Sequence, residues 1–231
     1  MKKKIAIIGS GIAGLTAANL FKKNSDFEVI VYEREKILSL DEGYGIQLAP
    51  NSISILNKIG FSNIEKNNFF NPSKLNFYSA DDNKICDVDL TRFNIDKIKY
   101  TTLKRSVLIE FLKKTLFLNN IKFGKEVRKV SEIKKKLLIN FSDNTNDLVD
   151  YIIVSDGVFS RTKSIIEKKV VKPFYSGSIA IRSIIKSSEN LNYENNNISL
   201  IMFPNAHIVI YPINKKNELN LVCTVRQKSL K

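Results

Sequence analysis

The alternation of hydrophobic and polar residues over positions 1–33 predicts a strand, a helix and a second strand. Residues 4–8 form a short run that is apolar on both faces, which is typical of a central strand in a parallel sheet. Apolar side chains then recur at helical spacing over 15–23, and residues 27–32 form a second strand. This order predicts a βαβ unit at the start of an α/β fold.

Strand and helix patterns continue along the rest of the chain. We predict a loop over 43–51, a helix over 52–59 that ends before Gly60, and a helix over 105–118. The Asn-rich residues 187–197 predict a surface loop. The strand patterns occur at 74–79, 84–90, 121–123, 136–141, 148–154, 177–185, 198–203, 206–213 and 218–225. Helices and parallel strands thus come first, and antiparallel strands are inserted and appended, which indicates an α/β domain carrying a second, sheet-based domain.

The loop after the first strand carries the glycine pattern of a dinucleotide-binding turn. Its sequence is Gly9-Ser10-Gly11-Ile12-Ala13-Gly14, and it leads directly into the predicted helix. The first glycine of such a pattern permits a tight turn, the second lets the backbone approach a pyrophosphate, and the third lets helix and strand pack closely. The helix N-terminus adds free N–H groups and a positive dipole that attract phosphate. The alternative is a nucleotide-free α/β domain with a glycine-rich turn.

Glu33 follows the second strand, nineteen residues after Gly14. A carboxylate at this position accepts hydrogen bonds from ribose hydroxyls and repels a 2′-phosphate. Glu33 therefore favours NAD or FAD over NADP, and these residues alone leave the choice between NAD and FAD open.

The formal net charge of +14 raises the question of a nucleic-acid or membrane partner. Thirty of the 37 basic residues are Lys, and they are scattered along the whole chain rather than clustered with Arg or aromatic residues. We therefore expect a solvated Lys-rich surface and no functional nucleic-acid binding.

The cysteines and the N-terminal residues indicate in which cellular compartment the protein is expected. Cys86 and Cys223 lie far apart and the chain has one histidine, so we expect no metal site and no disulfide framework, but reduced, buried thiols in a cytoplasmic protein. The apolar run after Lys4 is too short and too interrupted by glycine to span a bilayer, so no transmembrane or targeting segment is expected.

Further segments, in order along the chain, resemble the class A flavoprotein monooxygenases. Residues 43–51 (GYGIQLAPN) resemble the family's G-x-G-I-x-L-x-P-N segment, and residues 103–112 resemble its Arg-x-x-L-x-x-x-L helix start. Residues 155–161 (SDGVFSR) resemble its A-D-G-x-x-S-x-x-R motif, although Ser155 replaces Ala and Arg161 comes early. His207 with Tyr211 resembles substrate-domain strands of the salicylate-hydroxylase-like branch; a ubiquinone-biosynthesis branch is similar too.

The resemblance implies an FAD-dependent aromatic hydroxylase. It implies NADH or NADPH as co-substrate, and oxygen transfer to an aromatic substrate through a flavin hydroperoxide. It also implies an FAD-binding Rossmann-like domain over 1–70 and 104–166, and a mainly β substrate domain over 71–103 and 167–231. A quinone-biosynthetic member would touch the membrane surface peripherally. The sequence leaves the catalytic residues and the oligomeric state undetermined.

The resemblance further implies which residues bind the cofactor and the substrate. The family's arginine at the start of this helix, which corresponds to Arg105 here, contacts the flavin's phosphate and ribityl chain. The backbone at the position of Val127 contacts the adenine. His207 and Tyr211 are candidate substrate contacts, although an ordinary sheet histidine is the favoured interpretation of His207. The expected cofactor-binding residues are Gly9, Ser10, Gly11, Ile12, Ala13, Gly14, Glu33, Arg34, Gln47, Arg105, Val127, Asp156 and Gly157.

One departure from the family concerns its second flavin motif, a Gly-Asp pair. None of the nine glycines precedes an Asp, and the sequence stops inside the expected substrate sheet. We therefore expect weak FAD binding, little turnover and an unpaired strand edge near Lys231. Two alternatives stay open: an FAD-binding module without turnover, and an NAD-dependent oxidoreductase on a similar fold.

Overall fold

A computed structural model describes residues 1–37, 44–116, 120–186, 194 and 196–227. Most of the predicted loop at 187–197 and the last residues of the predicted helix at 105–118 lie outside these ranges. The strands are β1 Lys3–Ile8, β2 Phe27–Tyr32, β3 Gly45–Leu48, β4 Phe69–Phe70, β5 Lys74–Ser79, β6 Lys84–Asp89, β7 Thr101–Lys104, β8 Ile121–Lys122, β9 Val127–Ile133, β10 Lys136–Phe141, β11 Asn146–Val149, β12 Tyr151–Val154, β13 Ser178–Lys186, β14 Ile198–Met202, β15 Ala206–Pro212 and β16 Glu218–Arg226. The α-helices are α1 Ile12–Lys22, α2 Pro50–Asn57, α3 Arg105–Leu116 and α4 Arg161–Glu167.

The first of two compact units comprises Met1–Leu40 and Ile109–Phe174. Its parallel sheet has the strand order β12-β1-β2-β8, so β1 is central and pairs with a strand on each side. This position explains why residues 5–8 are apolar on both faces and buried. The predicted βαβ unit is confirmed, and with it the α/β fold.

Both faces of the parallel sheet are covered within this unit. Alternate residues Ala6, Ile8 and Tyr32 pack against the antiparallel sheet β11-β10-β9 through a buried cluster that includes Ile139 and Phe141. The helix α1 packs against β1 and β2. The sheet is thereby held between a helical layer and a second sheet, and its loops emerge at the carboxyl ends of the strands.

The prediction of one strand over 148–154 is wrong, because this segment forms two strands in different sheets. The chain leaves β11 at Val149 and enters β12 at Tyr151, with Asp150 between them. The Asp150 carboxylate accepts a hydrogen bond of 2.8 Å from the Lys4 amide, and the Asp150 amide donates to the Lys4 carbonyl. These contacts fix the sheet switch, which the continuous apolar pattern of the segment conceals.

The second unit comprises Asp41–Leu108 and Tyr175–Lys231. Its larger sheet has the order β13-β16-β15-β14-β5-β6 and is antiparallel except where β14 pairs with β5. The expected unpaired edge near the C-terminus is wrong for the described residues, because β16 pairs with β13 on one side and with β15 on the other. Residues 228–231 lie outside the description.

A smaller sheet of the second unit contains a strand that the sequence analysis treated as a loop. The strand β3 pairs with β7 in the order β3-β7-β4. A Cβ at Gly45 would lie 2.5 Å from the Asn220 Cβ, and the Gly45 amide donates a 2.6 Å hydrogen bond to the Asn220 side chain. The short strand is thus anchored by a residue of β16, 175 positions away in the sequence.

The units divide the chain near residues 40, 108 and 174, whereas the predicted domains divide it near 70, 103 and 166. Both divisions are discontinuous, and the assignment of the parts to FAD and to substrate stays a prediction.

The expectation of two buried thiols is wrong for Cys86, which is exposed, while Cys223 is partly buried. In the described ranges no helix is long and apolar enough to cross a bilayer.

Candidate functional site

Two positions of the loop after β1 must be glycine, because a side chain there would clash with neighbouring atoms of the protein. Gly9 has a φ of +101°, and a Cβ there would lie 2.6 Å from the Ser155 carbonyl oxygen. A Cβ at Gly14 would lie 2.0 Å from the Gly9 carbonyl oxygen and 2.7 Å from the Ser155 hydroxyl. The loop is therefore pressed between α1 and the end of β12, as expected for the first and third glycines of the pattern.

Gly11 differs from the other two glycines of the pattern. A Cβ at this position would have no neighbour within 4 Å among the described residues, and the backbone is extended (φ −73°, ψ −177°). Gly11 is also the N-cap of α1 and provides no side-chain cap, so the N–H groups of Ile12, Ala13 and Gly14 precede the first intrahelical donor, Leu15. The open side of the loop thus combines accessible backbone with the positive end of a helix.

The Glu33 carboxylate is held against this loop. Its Oε2 accepts hydrogen bonds from the Ser10 amide (2.8 Å) and the Ser10 hydroxyl (2.6 Å), and its Oε1 accepts one from the Glu35 amide (3.0 Å). Burial alone would raise the pKa of Glu33, but hydrogen bonds from Ser10, Glu35 and Arg34 outweigh it and keep the pKa below its usual range. Glu33 is therefore ionised at neutral pH.

Two further predicted cofactor residues flank this region. The Arg34 side chain is half-exposed and lies 3.2 Å from Glu35 in an ion pair. Val127 begins β9, and its side chain is buried in the core cluster beside Tyr32 and Phe141. The buried side chain leaves only backbone atoms of Val127 for a ligand, and the contact with adenine stays a prediction.

Asp156 and Gly157 follow β12 and border the same loop. The Asp156 Oδ2 accepts a long hydrogen bond (3.3 Å) from the Thr162 amide at the start of α4, whereas Oδ1 is buried and accepts none from the described residues. Gly157 has a φ of +82°, and a Cβ there would have no neighbour within 4 Å in the part of the chain that the structure describes. A buried carboxylate oxygen without a donor is costly for a protein, and a ligand hydroxyl would satisfy it.

Lys163 is a residue that the sequence analysis missed. It lines a cavity at the carboxyl end of β12 together with Asp156, Gly157 and Ser160. Arg161, in contrast, donates a 2.6 Å hydrogen bond to Glu126. The signal was present in the sequence, because Lys163 stands where the D-G-x-x-S-x-x-R spacing expects a basic residue.

The remaining predicted residues belong to the second unit. Arg105 begins α3, and its amide donates a 2.7 Å hydrogen bond to the Tyr44 carbonyl. Gln47 accepts a 2.7 Å hydrogen bond from the Tyr100 hydroxyl. His207 is exposed on β15, four residues before the buried Tyr211.

Tyr211, Gln47 and Tyr100 form a cluster with an arginine that sequence reasoning did not select. Burial raises the pKa of Tyr211 to about 12, although the Arg182 cation and a hydrogen bond with Gln47 act in the opposite direction. The Arg182 guanidinium lies 5.4 Å from the centre of the Tyr44 ring, within the range of a cation–π contact. Nothing in the local sequence around Arg182 marks it, because its neighbours in this cluster come from three distant segments.

Comparisons with known proteins find similar sequences and similar solved structures. Residues 7–41 match the NAD(P)-binding Rossmann-like domain. The 3-amino-4-hydroxybenzoate 2-monooxygenase PtmB3 of Streptomyces platensis is 25% identical over 217 residues, which cover 92% of this chain and 54% of the relative. The salicylate hydroxylase of Pseudomonas putida is 22% identical over 98% of this chain and 55% of its own length. The chain is related to the FAD-dependent aromatic monooxygenases.

The structural comparison supports this relation at the level of the fold. The crystal structure of Klebsiella pneumoniae HpxO complexed with FAD and uric acid superposes with a TM-score of 0.87 at 18% identity, covering 99% of this chain and 58% of HpxO. The chain therefore shares the fold of the matching part of HpxO. The chain spans about half the length of the curated monooxygenases that it matches.

Proposed function

We propose that this chain binds FAD and acts in the NAD(P)H-dependent hydroxylation of an aromatic acid. The observation that carries the proposal is the open backbone at Gly11 next to Ser10, whose amide and hydroxyl bind the ionised Glu33 carboxylate. An open helix N-terminus and a carboxylate able to accept a ribose hydroxyl thus lie in contact with the same loop, which supports binding of the ADP half of a dinucleotide.

The residues present fit the ADP half of FAD at three places. The free N–H groups that open α1 suit the pyrophosphate, and the absence of a Cβ at Gly11 leaves room for it. Glu33 suits a ribose diol, and the unsatisfied Oδ1 of Asp156 would accept a hydroxyl of the ligand. The relatives named as FAD-dependent or crystallised with FAD favour this cofactor over NAD. When bound, FAD would supply oxygen activation after reduction by NADH or NADPH.

The second unit supplies groups suited to an aromatic acid. Arg182 is a cation on an exposed part of β13 that attracts a carboxylate, and it lies near the aromatic ring of Tyr44. Tyr211 is a neutral phenol at physiological pH, as an ordinary tyrosine also is, so its hydroxyl can donate a hydrogen bond to a substrate oxygen. Two relatives act, by name, on 3-amino-4-hydroxybenzoate and on salicylate, which are both hydroxylated benzoates. We therefore infer a hydroxylated aromatic carboxylate as the substrate class.

The first experiment is a titration of the purified chain with FAD, followed by flavin absorbance and fluorescence. We expect saturable binding that Asp156→Asn weakens by about tenfold, because the substitution removes a charged acceptor. Asp143→Asn is a matched control, since Asp143 is an exposed carboxylate bonded to Lys125 and Thr145. Equal affinities for the wild-type chain and both variants would contradict the role of Asp156.

The second experiment measures turnover and separates the two candidate functions. We expect this 231-residue chain to oxidise NADH or NADPH slowly, and we expect salicylate or 3-amino-4-hydroxybenzoate to stimulate that slow oxidation. Because the chain spans about half the length of its relatives, an FAD-binding module without turnover is the second candidate. Stoichiometric FAD binding without stimulated NAD(P)H oxidation would favour that candidate. A colourless protein that binds NAD instead would refute both.

A further inference from the structure

The hydrogen bonds between Ser10 and Glu33 join two parts of the βαβ unit that are 23 positions apart. Ser10 belongs to the loop after β1, and Glu33 follows the last residue of β2. Both donors of Ser10, the amide and the hydroxyl, reach the same carboxylate oxygen, Oε2. The Glu33 side chain is therefore fixed by the loop rather than by its own strand.

The Ser10 hydroxyl faces the protein and not the solvent. Ser10 is only 1% exposed, whereas Glu33 is partly buried and keeps some contact with solvent. The open side of the loop is at the next residue, Gly11. A hydroxyl at position 10 consequently has no access to a ligand on that side, and its visible partner is the carboxylate.

The two carboxylate oxygens of Glu33 accept different hydrogen bonds. A carboxylate offers about four lone-pair sites. Ser10 gives Oε2 two hydrogen bonds of 2.8 and 2.6 Å, whereas the Glu35 amide bonds Oε1 at 3.0 Å and the Arg34 backbone adds a further weak contact to the carboxylate. Oε1 is thus the atom best suited to receive a ribose hydroxyl, and its orientation depends on how firmly Oε2 is held.

We propose that the Ser10 hydroxyl is a positioning residue that orients Glu33 for recognition of an unphosphorylated ribose. Ser10 then acts on the nucleotide only through Glu33. The proposal rests on the proposed binding of a dinucleotide at this loop. It goes further by assigning selectivity for the ribose 2′-hydroxyl to a buried side chain that the ligand does not touch.

The test compares ADP with 2′-deoxy-ADP by isothermal titration calorimetry on the full chain. We expect the wild type to prefer ADP, and Glu33→Gln to lose most of that preference. Ser10→Ala should weaken ADP binding by about tenfold, the low end for a hydrogen bond to a charged group, and 2′-deoxy-ADP binding much less. In the Ser10→Ala/Glu33→Gln double variant the preference should fall no further than in Glu33→Gln alone.

Two additional variants control for folding. Ser10→Cys keeps a side chain of similar size with a weak donor, and should lose most of the preference while melting near the wild-type temperature. Ser164→Ala removes a hydroxyl that accepts a hydrogen bond from the Val171 amide in the same unit, and should keep the full preference.

The outcomes separate this inference from the proposed function. If the wild type prefers ADP and Ser10→Ala or Ser10→Cys loses affinity for both nucleotides equally, Ser10 has only a structural role and the inference is overturned. An unchanged preference in these variants overturns it as well. If the wild type binds neither ADP nor FAD, the dinucleotide site itself is refuted.

Discussion

Replacing Gly11 and Gly14 separately by alanine should uncouple cofactor binding from folding. The two residues lie in one loop, three positions apart, yet their surroundings are opposite. A Cβ at Gly14 would lie 2.0 Å from a backbone oxygen, whereas a Cβ at Gly11 would meet no described residue within 4 Å. Gly14→Ala is therefore expected to damage the fold, and Gly11→Ala is expected to damage ligand binding alone.

The magnitudes follow from these contacts. The atom that opposes a Cβ at Gly14 is the Gly9 carbonyl oxygen, so relief requires α1 to move away from β1. Overpacking of this kind costs about 1–3 kcal/mol and sometimes more. For a chain of this length each kcal/mol lowers Tm by about 2–4 °C, so that a cost in this range lowers Tm by about 2–12 °C. The extended backbone at Gly11 is allowed for alanine, so Gly11→Ala should change stability by less than about 1 kcal/mol.

The assay pairs thermal unfolding, followed by circular dichroism, with FAD titration of each folded variant. Gly11→Ala should melt within a few degrees of the wild type and lose FAD affinity by about tenfold or more, because its methyl group occupies the space where the backbone meets the pyrophosphate. Two results would refute the reasoning. One is Gly11→Ala with unchanged FAD affinity, and the other is Gly14→Ala with an unchanged melting temperature.

Three other predictions concern charge and protonation. Glu33→Arg should weaken FAD binding by about 10–100-fold through loss of the ribose acceptor, and an unchanged dissociation constant would count against the assignment. Tyr211 should ionise only near pH 12, which tyrosinate absorbance would show. Its pKa is higher in the folded than in the unfolded protein, so its contribution to the free energy of unfolding is complete below pH 10 and is lost as the pH rises towards 12. Despite the net charge of +14, binding to duplex DNA should be weak, independent of sequence and lost by about 200 mM salt; persistence at that salt would contradict this.

The elements that could be predicted are those whose signals are local. The βαβ unit combines a strand that is apolar on both faces, a glycine loop and a helical repeat within 33 residues. The paired strands β5 and β6 were predicted because a polar turn separates two apolar runs. In each case the contacts that stabilise the element are made by residues close to it in the sequence, so the local pattern is enough to predict the element.

The features that could not be predicted depend on distant contacts. The strand β3 exists because Gly45 lies against Asn220, and the switch at Asp150 depends on Lys4. Ser10 was expected to meet the cofactor because of its place in the motif, but its hydroxyl is turned to Glu33. Arg182 lies near Tyr44 only through the pairing of the second unit's strands. Such pairs leave no periodic trace in a single sequence.

The contrast among the three glycines also bears on the alternative of a nucleotide-free domain. A domain that needed only a tight turn and a closely packed helix would require Gly9 and Gly14, because both would otherwise clash with backbone atoms. It would have no reason to keep glycine at position 11, where a side chain fits freely and the backbone is extended. Glycine at that place also leaves α1 without a side-chain cap, so its first N–H groups lack the partner that Ser or Asp would provide. Among these three glycines, Gly11 is the one that the described contacts do not require, and the close approach of a bound phosphate would require it.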